Sequence, residues 1–224
     1  MCGAMMNAEG RHGMADPIDR PETMPAQINR PVRTKQEFRR EMSRLGERPK
    51  RALEVGAVPD ERAMLACPEV ADCPERIGIN LNLTGTYQGI RVMRGDAREL
   101  PYEDGSFDLV VSNSTLEHIP DFWRATADMR RVLRPGGTLM LCMPGYASHP
   151  AGDRVRRLFG RVPAPDLLRR GTVTMRVHDP VDCYRFGVDS FEQALLGGME
   201  DIRVWTLMLP PRVFGTARKP AASR

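Results

Sequence analysis

GDARELPYEDGSFDLVVSNSTLEHIPDF, Gly95 to Phe122, and MRRVLRPGGTLMLCMP, Met129 to Pro144, together decide the fold of this chain. An acidic turn at Asp96 leads into an apolar run, Leu109 to Ser112, which ends on the small polar residue Asn113. Asp121, after Pro120, stands where a helix N-cap is expected. Phe122, Ala125, Met129, Val132 and Leu133 then recur on one helical stripe. Arg130, Arg131 and Arg134 occupy its last turns, where cations favour the negative end of the helix dipole. Pro135, Gly136 and Gly137 stop the helix, and Thr138 to Met143 forms a second apolar strand. Strand, helix, strand with continuous apolar strands is the signature of a parallel sheet covered on both faces.

The same alternation extends in both directions. Arg51 to Val55, Arg76 to Ile79 and Ile90 to Met93 read as further buried strands. Cys67 to Glu75 holds two prolines, so the crossover there is expected to be irregular rather than a long helix. Thr34 to Leu45 reads as a helix capped by Thr34, with Phe38, Met42 and Leu45 inward. Asp189, with Glu192 three residues on, predicts a capping box for another helix. Ile202 to Leu209 and Arg212 to Thr216, separated by Pro210-Pro211, predict an antiparallel pair at one edge. The expected fold class is therefore α/β. Residues 1–32 read as a mobile tail rich in Met, Pro, Gly, Asn and Arg. The domain is expected over 33–220.

Bulk properties narrow the function. A chain of 224 residues with 41% hydrophobic and 28% charged residues fits one globular domain. A net charge of +4 does not argue for nucleic acid. There is neither an apolar run of membrane-spanning length nor a secretory leader, which points to the cytoplasm. Five scattered cysteines without a CxxC pair predict neither a disulfide framework nor a zinc site, and no metal is expected.

In order and spacing these motifs resemble the class I S-adenosylmethionine-dependent methyltransferases, of the large type 11 family. The resemblance covers roughly Arg51 to Pro220. It implies a Rossmann-like, seven-stranded, mostly parallel sheet with helices on both faces, an antiparallel C-terminal edge pair, a lid insertion at about 145–188, and S-adenosylmethionine as cofactor. Glu54-Val55-Gly56-Ala57 stands where the family has its first glycine-rich turn, so Glu54, Gly56 and Ala57 are candidate cofactor contacts. Val58 and Asp60 replace the further glycines usual there, and Pro59 biases Val58 toward extended backbone. Asn80 stands where a ribose-binding carboxylate is usual; an amide oxygen can accept from a hydroxyl, but without the charge. A strand-end asparagine stabilising its own turn is the plainer reading of the same residue. Asp96 and Ala97 align with the adenine-contacting pair, and Asn113 lies at the carboxyl edge, where open α/β sheets bind ligands.

The resemblance also implies a reaction: transfer of the sulfonium methyl to a nucleophile, governed mainly by positioning. His118, in Leu116-Glu117-His118, and His178, in the segment Val177 to Phe186, are candidates to orient the acceptor or take its proton. A small-molecule or sugar-containing acceptor is expected. The arginines between Asp153 and Arg170 would steer one of anionic character. The altered glycine-rich turn and Asn80 keep a rival open, a non-catalytic methyltransferase-like binding or partner protein with a degenerate cofactor site.

Overall fold

The computed structural model describes residues 30–145, 182–207 and 212–221. Helix α1 (Arg30–Met42) precedes strand β1 (Arg51–Val55), and two single 3-10 turns, Met64–Ala66 and Pro68–Val70, lead to β2 (Glu75–Asn80). Strands β3 (Gly85–Tyr87), β4 (Ile90–Arg94) and β5 (Phe107–Asn113) follow. After a 3-10 turn at Leu116–His118 come α2 (Phe122–Val132) and β6 (Leu133–Pro144). A short helix α3 (Val188–Ser190) widens into a π-helical turn at Phe191–Leu195 and precedes β7 (Glu200–Leu207) and β8 (Arg212–Arg218).

The sheet order is β3-β4-β2-β1-β5-β6-β8-β7. Strands β4, β2, β1, β5 and β6 run parallel, while β8 and β7 close one edge antiparallel, as expected. The sheet has eight strands rather than the expected seven. The addition is β3, antiparallel to β4 with Tyr87 opposite Ile90. Gln88 and Gly89 between them take φ of 47° and 80°, the left-handed pair of a two-residue hairpin turn. A short polar stretch thus becomes an edge strand through its pairing with β4.

Each face of the sheet packs its own core. On one face α1 and the two 3-10 turns place Phe38, Met42, Leu65 and Val70 against Leu109, Met140 and Phe214. On the other, α2 and the π-helical turn place Met129, Val132 and Phe191 against Leu53, Val110 and Leu141. The irregular crossover at Cys67–Glu75 is present as expected, and Cys67, Cys73 and Cys142 are buried free thiols. No helix among the described residues is long and apolar enough to cross a membrane.

Three helix-end expectations are corrected. Helix α1 begins at Arg30, so Thr34 lies within it and is buried rather than capping it. Asp121 sits at the N-cap of α2 but makes no capping bond; its carboxylate accepts from Arg98 and Arg124 instead. Gly187, not Asp189, occupies the N-cap of α3, and no side chain bonds there. At the far end of α2 the orphan carbonyls are met by Lys219, whose Nζ donates to Arg130 O (2.8 Å) and Leu133 O (2.7 Å).

Candidate functional site

The carboxyl ends of β1, β2, β4 and β5 form one rim, and the sequence candidates within the described residues lie on or beside it. The turn after β1 is shaped by Gly56, at φ +85°. Its N–H and that of Ala57 both donate to Ile79 O, at 2.8 and 3.1 Å, which ties the end of β1 to β2. A Cβ on Gly56 would stand 1.9 Å from Thr115 Oγ1, so only glycine fits beneath that side chain. Thr115 is delivered there by Ser114, which itself holds a left-handed φ of 52° after β5. Thr115 Oγ1 lies 3.2 Å from both Val55 O and Asn113 O.

Glu54 points away from this turn into the α1 side of the sheet. It is 3% exposed, and its carboxylate accepts from Leu65 N at 3.0 Å, holding the first 3-10 turn. Burial pushes its pKa up to about 7. Asn80 is likewise engaged within the protein. Its Nδ2 donates to Ala57 O (2.8 Å), and its Oδ1 accepts from Asn82 N and Leu83 N (3.0 Å each). The side chain closes its own strand-end turn and clips it to the β1 turn.

Asp96 follows β4, with its side chain about one-third exposed (34%). Arg98 forks onto it through Nε and Nη2, its backbone N–H adds a bond at 2.9 Å, and it reaches Asp121 at 3.2 Å. The hydrogen-bonded guanidinium holds the Asp96 carboxyl below the usual carboxylate range, so Asp96 is ionised at neutral pH. Ala97 beside it is buried at 8% exposure. Asp60 and Arg62 make the same Asp-x-Arg fork on the β1 loop. That repeated spacing was visible in the sequence, and it is the signal by which Arg98 could have been found.

At the end of β5, Asn113 Oδ1 lies 3.5 Å from Arg212 Nη1, which also donates to Ser114 Oγ at 2.6 Å. His118 stands between two acids: its Nε2 is 3.8 Å from Glu117 Oε1 and its Nδ1 is 3.4 Å from Asp182 Oδ1. Asp182 pairs with Arg185. The Glu117 carbonyl accepts from Cys183 N (2.6 Å) and Tyr184 N (3.2 Å), pinning the returning segment to the rim. His178 and the arginines of 153–170 lie outside the described residues.

At the adenine end, Asp96 is an ionised, partly exposed acceptor beside the Ala97 backbone, with Arg98 donating to both its oxygens, so an adenine amino group would share the carboxylate with that guanidinium. Toward the ribose and methionine ends the polar groups of Asn80, Gly56 and Ala57 are committed to protein partners. A cleft of about 550 Å³ opens at the opposite, amino-terminal edge of the sheet. Its charges are satisfied internally: Glu41 by Arg44 and Arg203, Asp108 by Arg134, and Asp201 by Arg218. That cleft is lined by a salt-bridge seam.

Residues 69–141, from the first crossover through β6, match the family model described as a methyltransferase domain, of type 11. Over that stretch the chain is similar to a methyltransferase domain. Demethylmenaquinone methyltransferase of Staphylococcus aureus (strain JH9) is 42% identical over 82 residues, which are 37% of this chain and 34% of that protein. The match thus spans about a third of the length of these curated relatives. Among solved structures, phosphoethanolamine N-methyltransferase 2 of Haemonchus contortus, in complex with S-adenosyl-L-methionine, superposes with a TM-score of 0.53 at 15% identity. That match covers 83% of this chain and 52% of the other. The [4+2]-cyclase SpnF superposes at 0.59 and 17% identity, covering 85% and 82%. At such identities the superpositions carry the methyltransferase fold and not an activity.

Proposed function

We propose that this chain is an S-adenosylmethionine-dependent methyltransferase acting on a small-molecule acceptor. The observation that carries the reading is Asp96: an ionised carboxylate at the end of β4, on the rim that also holds Gly56, inside the stretch that matches the methyltransferase domain. When bound, the cofactor supplies an activated sulfonium methyl. Asp96 accepts from the adenine amino group, the Ala97 backbone borders the ring, and Arg98 fixes the Asp96 carboxylate in place. Asn113 borders the acceptor side, and Gly56 keeps the β1 turn low. His118, beside Glu117 and Asp182, orients the acceptor or takes its proton; His178 is the second candidate. The small-molecule acceptor is supported by the demethylmenaquinone methyltransferase match.

Titration calorimetry with S-adenosylmethionine and with its demethylated product tests the reading. The expected result is sub-millimolar binding that Asp96→Asn weakens at least about tenfold, as loss of a charge-assisted bond requires. A second reading has its own support. Thr115 covers Gly56, and both amides of that turn are spent on Ile79 O. A scaffold of this kind would serve as a binding or partner protein. Absence of detectable heat at millimolar cofactor favours it and overturns the enzyme.

A further inference from the structure

Glu117, His118 and Asp182 each offer a ligand atom within 4.8 Å of the others. We propose that these three residues form a site for a transition-metal dication such as Zn²⁺, Mn²⁺ or Co²⁺. One imidazole nitrogen and two carboxylate oxygens are a donor set of the type such ions take. Ligand atoms at about 2.1 Å from an ion stand roughly 3–4 Å apart. One ligand atom from each residue lies within 4.8 Å of the other two, so coordination needs a contraction of at most about an ångström. His118 now turns Nε2 toward Glu117 and Nδ1 toward Asp182, so one carboxylate must swing toward the nitrogen that holds the ion.

The second observation is Glu117 itself. Its side chain is 0% exposed, and neither carboxylate oxygen has a hydrogen-bond partner. Buried carboxylates are normally paired, hydrogen-bonded or metal-bound, because an isolated one loses its hydration with nothing in return. Arg212 donates to Ser114 Oγ and Arg185 pairs with Asp182, and both reach Glu117 only through their field. A dication would give the Glu117 carboxylate a direct partner. The surroundings suit a preformed site. The Glu117 carbonyl holds Cys183 N and Tyr184 N, which fixes the two chain segments that supply the ligands. Arg185 braces Asp182 from the side, as outer-shell groups do for metal ligands. The described residues supply three protein ligands, the number found in sites that also bind water or a substrate oxygen.

The test uses the full chain, stripped with chelator and titrated with Co²⁺ and Zn²⁺ without cofactor, so that its outcome is separate from the methyltransferase reading. The expected result is one saturable equivalent with visible Co²⁺ absorption. Glu117→Gln and Asp182→Asn should each weaken it at least about tenfold, with the melting temperature recorded for each variant. Should Glu117→Gln fail to fold, Asp182→Asn and His118→Gln decide. No binding below millimolar metal, or binding that these substitutions leave unchanged, overturns the site and marks the cluster as a charged hinge holding Asp182 and Tyr184 to the rim.

Discussion

Replacing Glu54 with glutamine tests what the buried carboxyl on β1 does. Glu54 is 3% exposed, accepts from Leu65 N at 3.0 Å, and burial raises its pKa from 4.5 to about 7. The folded state therefore binds a proton that the unfolded chain has released. Stability contributed by this group is complete below about pH 4.5, falls as pH rises toward 7, and is lost above it. The full loss amounts to roughly 3 kcal/mol. Glutamine stays neutral and keeps an oxygen for Leu65 N, so the variant escapes this dependence. Its second amide hydrogen lacks an assured acceptor and costs about 1 kcal/mol. Glu54→Gln should thus be slightly less stable than the parent at pH 5 and more stable by about 1–2 kcal/mol at pH 8. Urea unfolding followed by circular dichroism across that range reads the difference. Parallel pH profiles for the two proteins would refute the buried, proton-holding assignment. The same variant should leave S-adenosylmethionine affinity unchanged, since Glu54 faces the α1 side.

Gly56→Ala should lower the melting temperature by several degrees, because its φ is +85° and the new methyl meets Thr115 Oγ1 at 1.9 Å; Gly56→Ala with Thr115→Ala should recover only part, since Thr115 Cβ remains 2.9 Å away. Asn80→Asp should destabilise by about 1–3 kcal/mol in chemical unfolding, as it replaces the donor to Ala57 O with a second acceptor. If the ribose reading of that position is correct, the same change tightens cofactor binding, and calorimetry separates the two effects. Lys219→Met should destabilise by about 1–2 kcal/mol, because it uncaps the α2 carbonyls of Arg130 and Leu133; a change within error would mean water replaces Nζ there.

Sequence alone fixed the strands with continuous apolar runs. Arg51–Val55 forms a strand with the ends its apolar run predicts, and the edge pair near Ile202 and Arg212 is antiparallel as expected. Such runs are buried on both faces whatever surrounds them, so local composition suffices. The hairpin at Gln88-Gly89 escaped because its strand is short, polar and exposed, and only pairing with β4 makes it a strand. Caps were misplaced for a related reason. Asp121 has the right chemistry for α2, but Arg98, distant in sequence, competes for its carboxylate. Which motif residues face a ligand was decided by tertiary contacts: Asn80 turned to Ala57 and Leu83, Gly56 went beneath Thr115, and Glu117 and His118 met Asp182. A residue type announces what bonds it can make. Only the folded chain settles which partner arrives first, because a buried polar group takes the nearest one that spares it the loss of water.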